Sequence, residues 1–310
     1  MRALVVSNMR PDRAHPERGS FVRDQVAALR GLGGLDVELY EFPPGPRALA
    51  GAAAELRRRH RTGGPFEVVH AHFGLTAWPA LAVPARVRAL TMHGTDLAEP
   101  RTRFATRAAL RFIDLPAAVS RELAARIPGS AAARAQVLPC GVNTERFGPI
   151  EPREARRRLG LAADRPFLLF PSDPARPEKR GELAYALAGA AGVDLHTLRG
   201  VDPSLVPLWV NAASAVVVPS AREGFGLAVL EALACDVPVL ATPVGVHPEA
   251  LTGVEGTLCA PFELSSWRAA LEPMLGSEPL RVDGRAAASR FSAGAMAERV
   301  RAAWARALGR

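Results

Sequence analysis

The chain has 310 residues, of which 48% are hydrophobic, so it is long and apolar enough for two domains of about 150 residues each. No apolar stretch approaches the ~20 residues needed to span a bilayer, and Cys140, Cys235 and Cys259 lack metal spacing, which favours a cytoplasmic protein with reduced thiols. The formal net charge is +8, but few aromatic residues accompany the basic ones and no nucleic-acid motif appears, so no nucleic-acid partner is expected.

Short apolar runs alternate with helical patterns in the first half of the chain, as in an α/β fold with a parallel sheet. The N-terminal MRALVVSNM holds only a short apolar run, which predicts a first strand and not a signal peptide. We predict that Ser20 caps the first helix and that 43–51 is a loop. The predicted strands are 2–7, 37–40, a third from 68 with its exit loop to 74, 87–92, 117–120 and 135–139; the predicted helices are 20–29, 52–60, 101–112 and a short one after 120.

Histidines follow the third and fourth strands of this half. The pattern predicts a structural role for His70, whereas His72 lies at the carboxyl edge of the strand, where ligands bind in open α/β sheets. Two histidines at positions i and i+2 would suit a metal, but no third ligand has a matching spacing. We therefore expect no metal site.

The predicted helix at 101–112 is basic and amphipathic. It interleaves aromatic residues with arginines, namely Phe104 and Phe112 with Arg101, Arg103, Arg107 and Arg111. Residues 1–145 as a whole hold 20 Lys and Arg against 13 Asp and Glu. Such a helix can lie on an anionic membrane, or it can pack its apolar stripe on its own domain, and the charge can also reflect an overall bias toward arginine.

The second half begins after a Pro/Gly-rich linker near 148–152, which predicts a second domain. A polar loop at 171–180 follows its first strand and holds Lys179, the single lysine of the sequence. The predicted strands are 167–170, 194–198, 215–218, 237–240 and 256–259; the predicted helices are 153–159, one ending at 191, 205–212, 227–234, 264–274 and 289–308.

The segment 215–251 has the most informative pattern of the sequence. It predicts a strand, a glycine-rich loop, a helix and a second strand in succession. Glycines let the backbone approach a ligand, and the amino terminus of the following helix favours phosphate. Glu223 and Glu231 flank this loop, and carboxylates accept hydrogen bonds from hydroxyl groups. Phosphate between two hydroxyl-rich groups describes a nucleotide-sugar, although two isolated glutamates would more often be solvated surface residues.

This pattern resembles the retaining glycosyltransferases of the GT-B fold, family 4, also called glycosyl transferases group 1. The E-x7-E motif of that family appears as Glu223-Gly224-Phe225-Gly226-Leu227 through Glu231, followed by Pro238-Val239. A second hallmark appears as His93-Gly94-Thr95-Asp96, and a third begins at Cys140. The chain departs from the family at Asp236 and at Val246, where glycines are usual.

The resemblance implies two Rossmann-like, doubly wound domains facing across a cleft. It places an acceptor-binding domain at 1–148, a nucleotide-sugar-binding domain at 149–290, and a C-terminal helix at 291–310 that crosses back to the first domain.

The resemblance also implies roles for individual residues. His93, Glu223 and Lys179 are expected to be catalytic, with His93 near the donor sugar and Lys179 on the diphosphate. Glu223 would contact the sugar hydroxyls and Glu231 the ribose. The other expected donor-binding residues are Gly19, Arg176, Gly224, Phe225, Gly226 and Leu227; Arg176 is included only because the usual arginine position falls near Pro174.

The implied activity is retaining, metal-independent hexosyl transfer from a nucleoside-diphosphate sugar to an acceptor hydroxyl, with no cofactor. The acceptor would be a glycan, a lipid-linked molecule or a small molecule, in cell envelope polysaccharide synthesis at the inner face of the membrane. Two alternatives remain: a sugar-nucleotide epimerase, and a non-catalytic partner that only binds a nucleotide-sugar.

Overall fold

The structure of the protein is a computed structural model that describes residues 1–276 and 279–309. The chain divides into two compact units. Unit 1 comprises Met1–Gly141 with the segment from Ala293 onwards, and unit 2 is Val142–Ser292. This division falls earlier in the chain than 148/149; Ser277, Glu278 and Arg310, which belong to the predicted domain ranges, lie outside the described residues.

Unit 1 is built on a parallel sheet with strand order β2-β1-β3-β4-β5-β6. Apolar, β-branched runs form its centre, where the strands are buried on both faces, as parallel sheets usually are. The strands are β1 (Arg2–Ser7), β2 (Asp36–Glu41), β3 (Phe66–His72), β4 (Ala85–Met92), β5 (Leu115–Ala118) and β6 (Gln136–Val137). In the register between β3 and β4, His70 pairs with Ala89 and His72 with Thr91.

Helices connect these strands, and two of them differ from expectation. Gly19, with φ 71°, is the N-cap of α1, and Ser20 is already helical, so the predicted Ser20 cap is wrong. The predicted loop at 43–51 is also wrong, because Pro46 starts a helix, a position where its fixed φ suits the first turn. The helices are α1 (Ser20–Gly31), α2 (Pro46–Arg59), α3 (Ala77–Ala80), α4 (Thr95–Ala98), α5 (Pro100–Ala109) and α6 (Arg121–Ala125), with 3₁₀ turns at Gly74–Thr76, Leu110–Phe112 and Gly129–Arg134.

Unit 2 holds a second parallel sheet, with strand order β11-β10-β9-β7-β8. Its strands are β7 (Phe167–Phe170), β8 (Asp194–Thr197), β9 (Ala215–Val218), β10 (Val239–Ala241) and β11 (Leu258–Cys259). Its helices are α7 (Pro152–Arg158), α8 (Gly181–Ala191), α9 (Val206–Ala212), α10 (Leu227–Ala234), α11 (His247–Leu251), α12 (Leu264–Leu271) and α13 (Arg285–Ser289), with 3₁₀ turns at Pro177–Lys179 and Glu272–Leu275.

The final helix, α14 (Ala293–Leu308), belongs to unit 1. The prediction of one helix over 289–308 is wrong: α13 ends at Ser289, and Ser292 forms a β-bridge with Val142 before α14 starts. The buried face of α14 carries Met296, Val300 and Trp304, which pack into the core of unit 1 with β1, β3, β4 and α1. Within the described residues, no helix combines the length and apolarity that crossing a bilayer requires.

Candidate functional site

The glycine-rich loop of unit 2 connects β9 to α10, as predicted. Gly226 is the N-cap of α10 and has φ 102°, a conformation that side chains disfavour. A Cβ at Gly226 would overlap the imidazole of His247, the first residue of α11. Gly226 offers no side-chain cap, and its carbonyl accepts from Val229 N at 3.2 Å, so no side chain of the N-cap residue occupies the amino terminus of α10.

A close ion pair lies beside this loop. Lys179 Nζ is 2.7 Å from both Oε1 and Oε2 of Glu223, and Ser220 Oγ donates to Glu223 Oε1 at 2.7 Å. Only 17% of the Lys179 side chain and 9% of the Glu223 side chain are exposed. The structure therefore brings together two of the predicted catalytic residues, which lie 44 positions apart in the sequence.

The neighbouring loop residues are held by backbone contacts. Phe225 is buried, its ring lies 6.1 Å from that of Phe291, and its carbonyl accepts a hydrogen bond from Val246 N at 2.7 Å. A Cβ at Gly245 would overlap this same carbonyl. The turn that leads into α11 is thus locked onto the glycine-rich loop. Gly224, Leu227 and Glu231 are half-buried.

Arg176 is not brought to the ion pair. Its exposed guanidinium contacts Glu178 Oε1 at 2.6 Å, two residues along the same loop.

The structure also explains why an aspartate can stand at position 236, where the family usually has glycine. Asp236 has φ 57°, and its Oδ1 accepts hydrogen bonds from the backbone of Gly284 and Arg285, so it tethers the start of α13.

The predicted residues of unit 1 lie on its first and fourth β–α connections. Gly19 is buried, and its φ of 71° together with the overlap that a Cβ would make with Met9 O explain why glycine stands before α1. His93 follows β4, and its backbone N–H donates to Asp96 Oδ2 at 2.5 Å. The other carboxylate oxygen of Asp96 accepts from Gly74 N at 2.7 Å, so this buried side chain joins the exits of β3 and β4.

The imidazole of His93 is held on several sides. Its ring centroid is 4.5 Å from Phe73 and 5.0 Å from Phe21, and its Nε2 is 3.0 Å from His72 Nδ1. His72 Nε2 is in turn 3.2 Å from the amide nitrogen of Gln25 on α1. Sequence patterns indicated His72 and His93 but not Gln25, which carries no motif.

His70, His72 and His93 lie side by side, and their surroundings favour the uncharged form of each ring. Burial lowers the pKa of His72 to about 3, and it lowers the pKa of His70 and of His93 well below the usual value. Burial also raises the pKa of Asp96, although its backbone hydrogen bonds act in the opposite direction. In the described part of the chain, no group of three or more His, Cys, Asp or Glu residues is arranged to hold a metal ion.

Comparisons with known proteins find a glycosyltransferase family model for each half of the chain. Residues 3–146 match the sequence model of Glycosyltransferase Family 4, and residues 167–277 match that of Glycosyl transferases group 1. The D-inositol 3-phosphate glycosyltransferase of Xylanimonas cellulosilytica is 31% identical, over 84% of this chain and 74% of its own. The corresponding protein of Actinosynnema mirum is also 31% identical, over 89% of this chain and 79% of its own.

Solved structures share the fold at low sequence identity. A sucrose-phosphate synthase from Thermosynechococcus elongatus has a TM-score of 0.73 and 19% identity, covering 99% of each chain. Anabaena HepE in complex with UDP and glucose has a TM-score of 0.69 and 17% identity, covering 97% of this chain and 99% of its own. The two parallel-sheet units, the family matches and these neighbours lead to one conclusion: the chain belongs to the family 4 glycosyltransferases and has the GT-B fold.

Proposed function

We propose that this glycosyltransferase transfers a sugar from a nucleoside-diphosphate sugar to an acceptor hydroxyl, with retention of the anomeric configuration and without a metal ion. The contact between Lys179 and Glu223, next to the amino terminus of α10, carries the proposal. It joins a group suited to phosphate with a group suited to sugar hydroxyls. HepE was solved with UDP-glucose, and a starch synthase of the same fold was solved with ADP and acarbose, which supports a donor of this class.

Donor binding would redistribute the hydrogen bonds of the ion pair. In the structure the ammonium of Lys179 donates to both oxygens of Glu223. A diphosphate seated at the amino terminus of α10 would attract Lys179, and Glu223 would then accept hydrogen bonds from the hydroxyls of the sugar. Glu231, one turn into α10, would contact the ribose, while the backbone from Gly224 to Leu227 would contact the donor.

Transfer would break the bond between the anomeric carbon and the phosphate oxygen and form one to the acceptor oxygen. The departing nucleoside diphosphate gains negative charge, which Lys179 and the dipole of α10 would stabilise. A phosphate oxygen of the departing group would take the proton of the acceptor hydroxyl. His93 would bind an oxygen of the donor sugar. This scheme needs no metal and no other cofactor.

The test is a transfer reaction with EDTA present. UDP-, GDP- and ADP-glucose are each incubated with inositol 3-phosphate, the acceptor in the names of the curated relatives, and the linkage is determined by NMR from the anomeric coupling constant. An α-linked product from an α-linked donor is expected. An epimerised donor without a new glycoside, binding without turnover, a β-linked product, or loss of activity with EDTA would each overturn the corresponding part of the proposal.

We further propose that unit 1 makes a peripheral contact with an anionic membrane, where a lipid-linked or glycan acceptor of envelope synthesis would be met. On α5 and the 3₁₀ turn after it, 79% of Phe104 and 54% of Phe112 are exposed, and Trp78 packs edge-on against Phe112. Arginines surround these aromatic residues, namely Arg101, Arg103, Arg107 and Arg111, all of them exposed. Exposed aromatic side chains among cations suit the headgroup region of an anionic lipid surface.

A further inference from the structure

Three histidines of unit 1 stack side by side, and two of them, His72 and His93, are hydrogen-bonded to each other. His70 and His72 are on β3, His93 follows β4, and the rings stack in sequence at centroid distances of 4.8 and 5.2 Å. A neutral imidazole carries one proton, so each ring has one donor nitrogen and one acceptor nitrogen. The donor that faces His70, and the donor that faces the pair of His72 and His93, therefore determine where each proton lies.

The tautomer of His70 is fixed by Trp304 on α14. The indole N–H can only donate, and it lies 3.2 Å from His70 Nδ1, which must accept. The proton of His70 is consequently on Nε2, from which it donates to Thr91 Oγ1 at 2.8 Å. The arrangement satisfies both nitrogens of this fully buried ring and leaves His70 without a donor toward His72.

The tautomers of His72 and His93 are fixed separately, by Gln25 on α1. Its amide nitrogen lies 3.2 Å from His72 Nε2, so that Nε2 is an acceptor and the proton of His72 is on Nδ1. His72 Nδ1 then donates to His93 Nε2 at 3.0 Å. Since Nε2 of His93 accepts, the proton of His93 can only be on Nδ1.

We infer that Gln25 and His72 are positioning residues that hold His93 in its Nδ1–H tautomer, so that His93 presents a hydrogen-bond donor to the substrate. The inference about the substrate rests on the proposed transfer reaction, whereas the tautomer depends only on unit 1. Phe21 and Phe73 pack against the ring and keep its orientation.

The tautomer limits the chemistry of His93. Its Nε2 lone pair is engaged by His72, and its Nδ1 already carries a proton, so neither nitrogen can take a proton from an acceptor hydroxyl. His93 acts as a neutral donor to an oxygen of the sugar, not as a general base. This role agrees with a mechanism in which the leaving phosphate removes the acceptor proton.

The experiment is ¹⁵N–¹H correlation NMR of the ¹⁵N-histidine-labelled full chain without substrate. The sequence has 7 histidines, and His93→Asn and His72→Asn assign the two relevant rings. The expected wild-type pattern is a protonated Nδ1 and an unprotonated Nε2 for both His72 and His93. A proton on Nε2 of His93 would overturn the inference, whatever the activity of the protein.

Variants separate positioning from packing. Gln25→Met keeps the length of the side chain but removes the amide donor, and His72→Leu removes the donor to His93; both are expected to give His93 a mixed tautomer and a kcat lowered roughly threefold to tenfold. His72→Asn, which supplies an amide N–H near the position of Nδ1, is expected to restore both readouts. A single unchanged tautomer in Gln25→Met and in His72→Leu contradicts the inference. The expected tautomers in a chain that transfers no sugar would refute only the proposed function.

Discussion

Lys179 Nζ lies 2.7 Å from both carboxylate oxygens of Glu223, across the glycine-rich loop of unit 2. Both side chains are largely withdrawn from water, so their attraction is less screened than that of an exposed surface pair. Ser220 Oγ donates a third hydrogen bond to the carboxylate, at Oε1. These contacts fix the positions of both side chains beside the loop.

The first prediction concerns this pair. Lys179→Met and Glu223→Gln should each lower kcat/KM about 100-fold, because in the proposed reaction each removes a charged group that contacts the sugar donor in the transition state. The loss of kcat/KM in the double variant should be far smaller than the product of the two single losses. In the proposed reaction both residues act on the same bound sugar donor. Steady-state transfer kinetics provide the measurement. Glu182→Gln, an exposed glutamate at the start of α8, is the control and should retain wild-type rates. Independent effects that multiply would contradict the coupling.

The second prediction concerns Gly226. Gly226→Ala should destabilise the protein by about 1–3 kcal/mol, since it adds a Cβ at φ 102° and forces the buried ring of His247 to move. Urea unfolding monitored by circular dichroism measures the change. Gly189→Ala is a matched control within α8, where φ is ordinary and no atom lies within 4 Å of the new Cβ. This control should be stabilised by up to about 1 kcal/mol. Equal effects of the two substitutions would show that the loop conformation is not required.

The third prediction is a dependence of stability on pH. The pKa of His72 is about 3 in the folded chain, whereas an unfolded histidine titrates near pH 6.5, so the unfolded state binds the proton more tightly. The contribution is fully present above pH 6.5 and is lost as the pH falls from 6.5 toward 3. Between pH 7 and pH 5, His72 should account for a loss of about 2 kcal/mol.

The same prediction has an internal comparison. His72→Asn cannot titrate in this range, so its free energy of unfolding should fall less steeply between pH 7 and pH 5 than that of the wild type. His70 and His93, which pack on either side of His72, remain in both proteins, so the comparison isolates what the removal of His72 changes. Urea unfolding at each pH measures the difference. Parallel pH profiles would mean that the pKa of His72 is the same in the folded and the unfolded chain.

The fourth prediction concerns the aromatic surface of α5. The chain should sediment with vesicles of equal phosphatidylglycerol and phosphatidylcholine more than with phosphatidylcholine alone, and added salt should weaken this binding. Phe104→Ser should reduce the affinity about tenfold, because a largely exposed aromatic side chain loses its insertion energy. Tyr185→Ser removes an exposed aromatic residue from α8 in unit 2 and serves as the control. Equal losses in both variants would exclude a contact specific to α5.

Much of the fold could be predicted from the sequence because buried parallel strands read as apolar runs. Arg2–Ser7, Phe167–Phe170 and Ala215–Val218 have the predicted bounds. The wrong predictions concern positions where another interaction outweighs a local sequence preference. Ser20 is a favourable cap residue, yet Gly19 in its left-handed conformation is the N-cap, so the helix begins one residue earlier than a Ser20 cap would give. The break between Ser289 and Ala293 is set by a bridge to Val142, which no local pattern shows.

The residues of the candidate site were singled out in the sequence by their resemblance to a family motif. The spacing of Glu223 and Glu231, and the lysine at 179, were visible in the sequence. The pairing of Lys179 with Glu223 depends on the loops that follow β7 and β9, neighbouring strands of the sheet, and spacing alone does not reveal it. Gln25 on α1 bonds to His72 and Trp304 on α14 bonds to His70, and Trp304 lies 234 residues from His70 in the sequence.

The return of α14 to the first unit has a practical consequence for anyone who divides this protein. A fragment that stops at Gly141 would lack Met296, Val300 and Trp304, so its sheet would present a bare apolar surface to water and tend to associate with itself. Joining residues 293–310 to that fragment through a short flexible linker would cover this apolar surface again. The amino-terminal half is therefore not an independent folding unit of contiguous sequence, and a single proteolytic cut cannot release it intact.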